Sequence, residues 1–545
     1  MIAAGHWRTA GWLLFALAPA VWPGMFPYDS PRWFAIAAVT LLLGAALLNR
    51  RTVSVLAGGG LAWLLLLFLL AQVYLRWHGI PAPQAWGLEA AWLVAFAVMF
   101  WLGAQAHARE LRRLWRLALK LVLLWVLFAL GWWMWGDGEL WLGPCQLSFA
   151  PSPKPSGIFP NGNVLAGAIL PVWLWCAVRA FEEEARWPLG LAWWLLSVGL
   201  FAAQSRGALL AGLMLLLLLV VCLRPRRDRL AFLFVGGVLA LLTAWGCTLL
   251  AQAHGAMATS AAEMLTSPAS MKQRLGIWRT AWSIGAATFP LGAGLGQFPW
   301  QFWLQAGWVL SDHVLPLNAM LAHNLLLQAW AEGGIAGVAL WLFLGLLLVA
   351  RWPYVRRWRA ERVAAWAAAG ALWVQAQVNV IYWMPVPWLW AAFLTGFACK
   401  RGLGRRHQPI YLAPWLALVV AGLGVVQGIQ WFQAQRALTD ARWTVQGMAP
   451  LMALAERDPR RAVLPLAHAM QAALAQPQAA SFARWAAPRL AGATPEVPFP
   501  FVLRAQIAAW VLAGQPGKAC HVAMLMRRLG VPVRVGKEER WRRCD

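Results

Sequence analysis

The stretch SRGALLAGLMLLLLLVVCL, residues 205–223, decides the fold class of this chain. From Ala208 to Leu223 it holds only uncharged and almost only apolar residues. A helix of roughly 20 such residues spans the hydrocarbon core of a bilayer. Because the apolar residues follow one another without alternation, the stretch predicts a transmembrane helix and not a strand of a membrane barrel.

Similar apolar runs recur along the chain on both sides of this stretch and predict an all-α polytopic membrane protein. We expect about thirteen transmembrane helices, counted by run length against the bilayer thickness. The predicted spans are 9–26, 33–48, 53–75, 86–106, 117–135, 164–178, 188–203, 208–223, 230–251, 334–350, 363–380, 388–398 and 411–432. The first span lacks a small-residue cleavage site, so we expect a signal anchor that is retained.

Charge supports a membrane assignment. The 545 residues are 61% hydrophobic and 12% charged, with a net charge of +26. In a soluble protein such a charge would suggest nucleic-acid binding. Here the basic residues lie mainly in every second short loop, as in cytoplasmic loops of membrane proteins. This alternation predicts a cytoplasmic N-terminus, an outward-facing C-terminal region and no nucleic-acid partner.

The predicted spans divide the chain into three parts. We expect N-terminal transmembrane helices over 1–135, a transmembrane core over 136–435 with a large outer loop at 252–324, and a small helical domain over 436–545. Long outer loops on a helical scaffold commonly carry function. Cys520 and Cys544 are candidates for a disulfide if the C-terminal domain faces an oxidising compartment.

Outward-facing charged residues are the first candidates for function, because a charge beside a bilayer is costly. Arg206 is a single cation at the start of a span, suited either to anchoring the helix end or to clamping an anionic head group. Lys272, Arg274 and Arg279 lie within MKQRLGIWRTAWSIGAATFPLGAGLGQFPW, residues 271–300. We expect a short helix there followed by a Gly-rich turn, and the cations either form a solvated face or bind an anion.

A polar stripe follows in AHNLLLQAWAEGGIAGVALW, residues 322–341. His323 and Asn324 are predicted at a helix start, with Glu332 eight residues after Asn324 on the same face and a stop at Gly333-Gly334. A histidine in a polar stripe at the membrane surface is a candidate for proton transfer.

Two further residues stand at predicted outer helix ends. Asn163, in GIFPNGNVLAG (157–167), suits either a helix cap or substrate binding. Tyr382, in NVIYWMPVPWLW (379–390), suits either an interfacial aromatic or substrate binding.

In this order and spacing, the stretches around Arg206, Arg274 and His323 resemble the signature of the O-antigen ligase / polymerase superfamily. The resemblance covers about 157–396 and implies a GT-C-type glycosyltransferase of the bacterial inner membrane, acting on undecaprenyl-pyrophosphate-linked glycans at the periplasmic face. The stretch 157–167 and the C-terminal domain are most similar to the protein O-oligosaccharyltransferase branch, which glycosylates pilins. The acidic turn usual in that branch is absent at Tyr382, and the C-terminal domain is short.

The resemblance implies a function that the residues can be checked against. A hydroxyl must attack an anomeric carbon while a lipid pyrophosphate leaves, which calls for cations at the leaving group. We expect Arg206, Arg274 and His323 to be catalytic, and Lys272, Arg279, Asn163, Asn324, Glu332 and Tyr382 to bind substrate. His323 acts either as general base or as a pyrophosphate contact.

The outer segments show no paired acids typical of a Mg²⁺ site, so neither a metal nor a cofactor is expected. The acceptor is predicted to be Ser/Thr of a periplasmic protein, with O-antigen ligation to the lipid A core or glycan polymerisation as alternatives. A transporter or flippase is the alternative of another class. Charges gathered at one surface and the lack of an internal repeat argue against it.

Overall fold

In a computed structural model of the chain, helices dominate. Six helical segments among the described residues are long and apolar enough to cross a membrane, and shorter apolar helices accompany them. The protein is therefore an all-α polytopic membrane protein. The predicted count of thirteen spans stays a prediction. The structure describes residues 10–15, 18, 29–48, 52–56, 59–135, 139–142, 145–148, 154–182, 187–254, 269–305, 320–400, 405–409, 455–456, 462–463, 466–467, 469–470, 479–496 and 500–528.

The chain forms two compact units. The first takes in Met1–Ala62, Trp92–Ser267 and Leu342–Gly428, and the second takes in Trp63–Ala91, Pro268–Trp341 and Ile429–Asp545. The helices are, in chain order, α1 Asp29–Leu48, α2 Gly59–Trp77, α3 Pro83–Gln105, α4 Ala108–Trp135, α5 Gly162–Glu182, α6 Trp187–Ala202, α7 Arg206–Leu223, α8 Arg227–Ala253, α9 Ala269–Ala287, α10 Phe298–Gln305, α11 Leu325–Val349, α12 Ala360–Ala376, α13 Pro385–Cys399, α14 Ala479–Ala493, α15 Pro500–Leu512 and α16 Pro516–Arg528. Short 3-10 helices lie at Trp352–Arg357, Val380–Trp383 and Thr494–Glu496.

In the first unit α5 is the central helix. It packs against α4, α6, α7 and above all α12. Within its most apolar window 94% of the residues are buried inside the protein, against 17% for α8. Exposed leucines and valines cover α8, as expected for a helix whose neighbour is lipid and not protein.

Close packing within this unit relies on small residues. A Cβ added at Gly103 of α3 would meet the backbone of Phe393 in α13, and one at Gly396 of α13 would meet the backbone of Phe100 in α3. The two backbones therefore touch where these glycines lie. Membrane helices commonly pack this way, because apolar burial alone does not hold them together in lipid.

The second unit contains the C-terminal part of α2, the beginning of α3, α9, α10, most of α11 and the C-terminal helices. Its core joins apolar residues of α9 and α10, such as Ile284 and Phe302, to residues of α14–α16, such as Leu490 and Met526. The described C-terminal helices thus share one core with the segment that carries Arg274, and the predicted separate domain over 436–545 stays a prediction.

Several predicted boundaries need correction. The span predicted from Val53 begins at Gly59, because Thr52–Leu56 forms a strand paired antiparallel with Arg405–Pro409. A second short ladder joins Glu139–Leu142 to Cys145–Ser148. These pairings depend on chain contacts that an apolar run does not reveal.

Some predictions fall outside the described residues. These are the span at 411–432, most of the first span, the charge-based placement of the termini, and Cys544. Cys520 is disulfide-bonded, and its predicted pairing with Cys544 stays a prediction.

Candidate active site

Helix α9 presents two different faces. Arg274 and Trp278 are half-buried, whereas Lys272 and Arg279 are exposed. Ile277 and the residues that follow it at helical spacing are buried in the core of the second unit. Because residues four apart share a helix face, this core fixes which side each cation occupies. Arg274 is therefore held against the protein, and Lys272 and Arg279 face away from it.

A Gly-rich turn connects α9 to α10, as predicted. Gly292, Gly294 and Gly296 all have positive φ, at 78°, 100° and 71°. A Cβ at Gly296 would lie 2.7 Å from the carbonyl carbon of Ala85. Only glycine adopts such backbone angles freely, and only glycine fits this close to a neighbouring backbone.

This turn inserts into a break in α11. At Gly334 (φ 57°, ψ −148°) the helix loses its regular geometry. The Ala331 carbonyl accepts from the Ala293 amide at 2.8 Å, and the Glu332 carbonyl accepts from the Gly294 amide at 2.9 Å. The predicted stop at Gly333-Gly334 is thus a break and not an end, because the turn supplies the hydrogen bonds that the helix gives up.

His323 lies immediately before α11 with a φ of 54°. Positive φ is uncommon for a residue with a side chain. Asn324 caps the helix, since its Oδ1 accepts from the Leu327 amide at 3.0 Å. The Gln328 Oε1 accepts from the Ala322 amide at 2.7 Å, on the other side of His323. The backbone is therefore fixed on both sides of the imidazole.

The electrostatic setting of His323 singles it out. Burial, and secondly the positive charge of Arg274, lower the pKa of its imidazole from 6.5 to about 4. Its buried Nδ1 has no hydrogen-bond partner among the described residues. The buried Trp278 Nε1, on the same face of α9 as Arg274, is also without a partner in that part of the chain. A neutral imidazole whose nitrogen has no hydrogen-bond partner within the described residues, beside a guanidinium, is suited to binding an anion or accepting a proton.

Glu332 is buried and its carboxyl group is used inside the protein. Its Oε1 accepts from the Phe298 amide at 3.1 Å, at the first turn of α10. The Gly296 amide and the Gln328 side chain also hydrogen-bond to it, and Glu89 lies close enough to interact with it electrostatically. Substrate binding by Glu332 stays a prediction, whereas its contacts with the turn are present in the structure.

In the first unit, Arg206 is the first residue of α7. The preceding Ser205 caps the helix by accepting from the Ala208 amide at 3.4 Å. Gln204, before the cap, has a φ of 48°, and its carbonyl oxygen accepts from Lys154 Nζ at 3.2 Å. Arg206 itself is half-buried. Two cationic residues therefore belong to the start of α7: Arg206 is its first residue, and the Lys154 ammonium group binds the backbone two residues before it.

Asn163 lies in the first turn of α5. The cap there is Asn161, whose Oδ1 accepts from the Asn163 amide at 3.0 Å, so the structural interpretation of this stretch as a cap applies to Asn161. The Asn163 carbonyl accepts from Gln375 Nε2 of α12 at 3.1 Å. Its predicted contact with substrate remains a prediction.

Tyr382 is buried in the 3-10 helix between α12 and α13. Its carbonyl oxygen accepts from Trp92 Nε1 at 3.1 Å. Arg32 is fully buried next to it, with its guanidinium carbon 5.0 Å from the Trp92 ring centroid and 4.7 Å from that of Trp383. This stacking holds the segment of Tyr382 in place, a contribution of Arg32 that the sequence analysis did not predict.

The second unit thus brings together the predicted residues Arg274, His323, Asn324 and Glu332, and the first unit carries Arg206, Asn163 and Tyr382. Sequence reasoning missed the buried glutamines that hold the Gly-rich turn. Gln72 Oε1 accepts from the Leu295 amide at 2.8 Å, and Gln297 Nε2 donates to the Ala82 carbonyl at 2.8 Å. For Gln72 the sequence did offer a signal, because a polar amide side chain stands inside the apolar run of α2.

Among the described residues, no three His, Cys, Asp or Glu side chains lie close enough together to hold a metal ion. The absence of a metal from the reaction stays a prediction.

Comparison with known families agrees with this geometry. Residues 191–342 match the family model Wzy_C, described as O-antigen ligase. The match runs from α6 into α11 and includes Arg206, Arg274 and His323, but not Asn163 or Tyr382. No curated protein matches the chain. This part of the chain is therefore similar to O-antigen ligase, which supports the O-antigen ligase/polymerase superfamily and O-antigen ligase-type glycan transfer, and it lies within a multi-pass membrane protein.

Proposed function

We propose that the protein transfers a glycan from undecaprenyl pyrophosphate to a periplasmic acceptor, namely Ser or Thr of a protein such as a pilin. The single observation that carries the proposal is the placement of His323 beside Arg274, with a buried imidazole nitrogen that has no hydrogen-bond partner among the described residues. The resemblance of 157–167 to the protein-glycosylating branch supports the choice of acceptor.

In the proposed reaction the acceptor hydroxyl oxygen attacks the anomeric carbon of the glycan. The bond from that carbon to the pyrophosphate oxygen breaks, and the lipid pyrophosphate leaves with the electron pair. Cations stabilise the negative charge that builds up on this oxygen in the transition state. We assign this role to Arg274, with the exposed Arg279 and Lys272 drawing the anionic donor towards the protein. For Arg206 the resemblance alone supports a catalytic role.

His323 takes the proton of the acceptor hydroxyl in this scheme. With a pKa of about 4 in the free protein, its imidazole is neutral near pH 7. A pyrophosphate bound at Arg274 would offset the guanidinium charge and raise the pKa of His323. The base would then become stronger when the donor is in place. In the alternative role, the neutral imidazole hydrogen-bonds to the pyrophosphate.

The C-terminal helices support a protein acceptor, because α14–α16 share an apolar core with α9, which carries Arg274. A domain attached to the helix of the site is suited to presenting a polypeptide. The disulfide at Cys520 is consistent with an oxidising compartment on that side of the membrane.

A second candidate is ligation of the glycan to the lipid A core. The similarity of residues 191–342 to O-antigen ligase favours it. Both candidates use the same donor and the same chemistry, and they differ only in which hydroxyl attacks.

The two candidates are separated by following the glycan. The chain is expressed in a host that makes a lipid-linked glycan but lacks its own ligases, with a pilin-like protein present. Glycan on the protein supports the proposal, and glycan on lipopolysaccharide supports the second candidate. His323→Ala, compared at equal membrane level, should give neither product. Transfer by His323→Ala at the wild-type rate contradicts the assigned site.

A further inference from the structure

The polar residues of α11 that follow His323 form a connected chain of hydrogen bonds. Gln328 is 7% exposed and Glu332 is 6% exposed, so both side chains lie almost entirely inside the protein. Both nevertheless have several polar partners within the second unit. Buried polar groups of this kind fix a local structure when all of them are satisfied.

The first link of this chain is at the backbone before His323. The side-chain Oε1 of Gln328 accepts from the backbone amide of Ala322 at 2.7 Å. The backbone amide of Gln328 donates to the backbone carbonyl of Asn324 at 2.9 Å. The side chain and the backbone of one residue thus hold both neighbours of His323. A positive φ at a histidine persists only where its surroundings enforce it.

The second link connects Gln328 to the Gly-rich turn. The Gln328 side chain hydrogen-bonds to the Glu332 carboxyl group, which also accepts from the amides of Gly296 and Phe298. Gln72 Nε2 donates to the Glu332 carbonyl at 3.3 Å. Because the same turn begins at the end of α9, the chain of bonds joins the segment after Arg274 to the backbone of His323.

We infer that Gln328 and Glu332 are positioning residues that hold the imidazole of His323 in register with Arg274 through the Ala322 amide and the Gly-rich turn. The inference rests on the proposed function of His323. It gives Glu332 a role other than substrate binding, namely accepting hydrogen bonds inside the protein. Loss of position by about 1 Å in a catalytic group costs about 10²-fold in rate, so the expected effect lies on kcat.

The test uses substitutions that remove the Gln328 side-chain amide, or that exchange it with the Glu332 carboxyl group. Gln328→Leu removes the acceptor for Ala322 and the bond to Glu332. Gln328→Glu keeps the acceptor but places two carboxyl groups side by side, and each then disfavours the charged form of the other. The double variant Gln328→Glu/Glu332→Gln restores one amide and one carboxyl group with their positions exchanged. Gln301→Leu, at a half-buried glutamine of α10, is the matched control.

Each purified full-length variant is reconstituted with lipid-linked glycan and acceptor, and kcat and KM are measured separately. We expect Gln328→Leu and Gln328→Glu to lose about 10²-fold in kcat with KM changed less than about threefold. The double variant should regain at least about tenfold over Gln328→Glu. A kcat for Gln328→Leu equal to that of Gln301→Leu overturns the inference, and so does a double variant no better than Gln328→Glu.

The outcome for His323 separates this inference from the proposed function. If His323→Ala transfers glycan like the wild type, the assigned function of His323 fails. If His323→Ala is inactive while Gln328→Leu is fully active, only the positioning role fails. Should Gln328→Leu not fold, the comparison of Gln328→Glu with the double variant decides alone.

Discussion

The start of α7 and the start of α11 are built in the same way. In each, a residue with positive φ precedes a polar cap, with Gln204 (φ 48°) before Ser205 and His323 (φ 54°) before Asn324. Such backbone angles cost about 1–3 kcal/mol for residues other than glycine. The chain accepts this cost at His323 and beside Arg206, two of the three candidate catalytic residues in the matched family region.

The two helix starts differ in which residue carries the candidate function. At α7 the residue after the cap is the cation Arg206, and the carbonyl of the strained Gln204 bonds to Lys154. At α11 the strained residue is itself the candidate, and its Nδ1 has no hydrogen-bond partner within the described part of the chain. At α7 the candidate cation therefore follows the capping residue, whereas at α11 the candidate imidazole precedes the capping residue.

The largest expected loss of activity comes from replacing His323 by a residue that keeps the backbone turn but has no imidazole. His323→Asn keeps a residue that tolerates positive φ but removes the imidazole, so transfer should fall by about 10²–10⁴-fold. The matched change Gln204→Asn at α7 should cost less than about tenfold, because it alters no candidate group and keeps the turn. Both are measured as kcat at equal protein level. An active His323→Asn would show that the turn matters and the ring does not.

Arg206 provides the next test. Arg206→Ala should lower kcat by about 10²-fold, as expected when one donor to a developing anion is removed. Arg206→Lys should recover part of this loss, since it restores a charge but not the planar fork of donors. Initial rates with the lipid-linked donor give the answer. Wild-type rates for Arg206→Ala would leave Arg206 the simpler role of anchoring the helix end.

The break that supports the start of α11 is the third test. Gly334→Ala forces a side chain into a positive φ, and its Cβ would meet the Pro290 carbonyl oxygen. Unfolding free energy should fall by roughly 1–3 kcal/mol. Gly345→Ala in the same helix meets nothing within 4 Å and should be neutral or slightly stabilising. Thermal unfolding in detergent measures both, and equal melting temperatures would contradict the role of the break.

The smallest effect concerns pH. Burial and Arg274 lower the pKa of His323 to about 4 in the free protein, and the neutral imidazole is the active form. Activity is thus lost as pH falls through this pKa. Since kcat/KM reports the free protein, it should stay level from about pH 7.5 to about pH 5.5. With donor bound at Arg274 the pKa of His323 rises, so kcat should decline at higher pH than kcat/KM.

The same measurement on Arg274→Lys gives the control, because it keeps the charge near His323. Superimposable acid limbs of kcat and kcat/KM in the wild type would contradict an anion bound beside this histidine.

Much of the fold was predictable, because the bilayer imposes one requirement on every spanning helix. The continuous apolar run ending at Leu223 predicted α7 to within two residues at its start. The pairing of Thr52–Leu56 with Arg405–Pro409 was not predictable, since strand partners far apart in sequence leave no local pattern.

The hydrogen bonds that connect the residues of the candidate site were not predictable from the sequence. The polar stripe of α11 is visible in the sequence as spacing, but the double glycine at 333–334 predicted an end of the helix where the structure has a break. That Gln328 reaches the Ala322 amide and Glu332 reaches the Phe298 amide depends on the tertiary position of the turn. Only the folded chain assigns these acceptors.

The hydrogen bonds around the Gly-rich turn also set an order for making the protein. Gln72 bonds to the Glu332 carbonyl across 260 residues, and Gln297 bonds to the Ala82 carbonyl across 215 residues. During synthesis Gln72 and Ala82 therefore leave the ribosome long before Glu332 and Gln297 do. The hydrogen bonds of the candidate active site can therefore form only once α11 has been made, and a shorter chain lacks them.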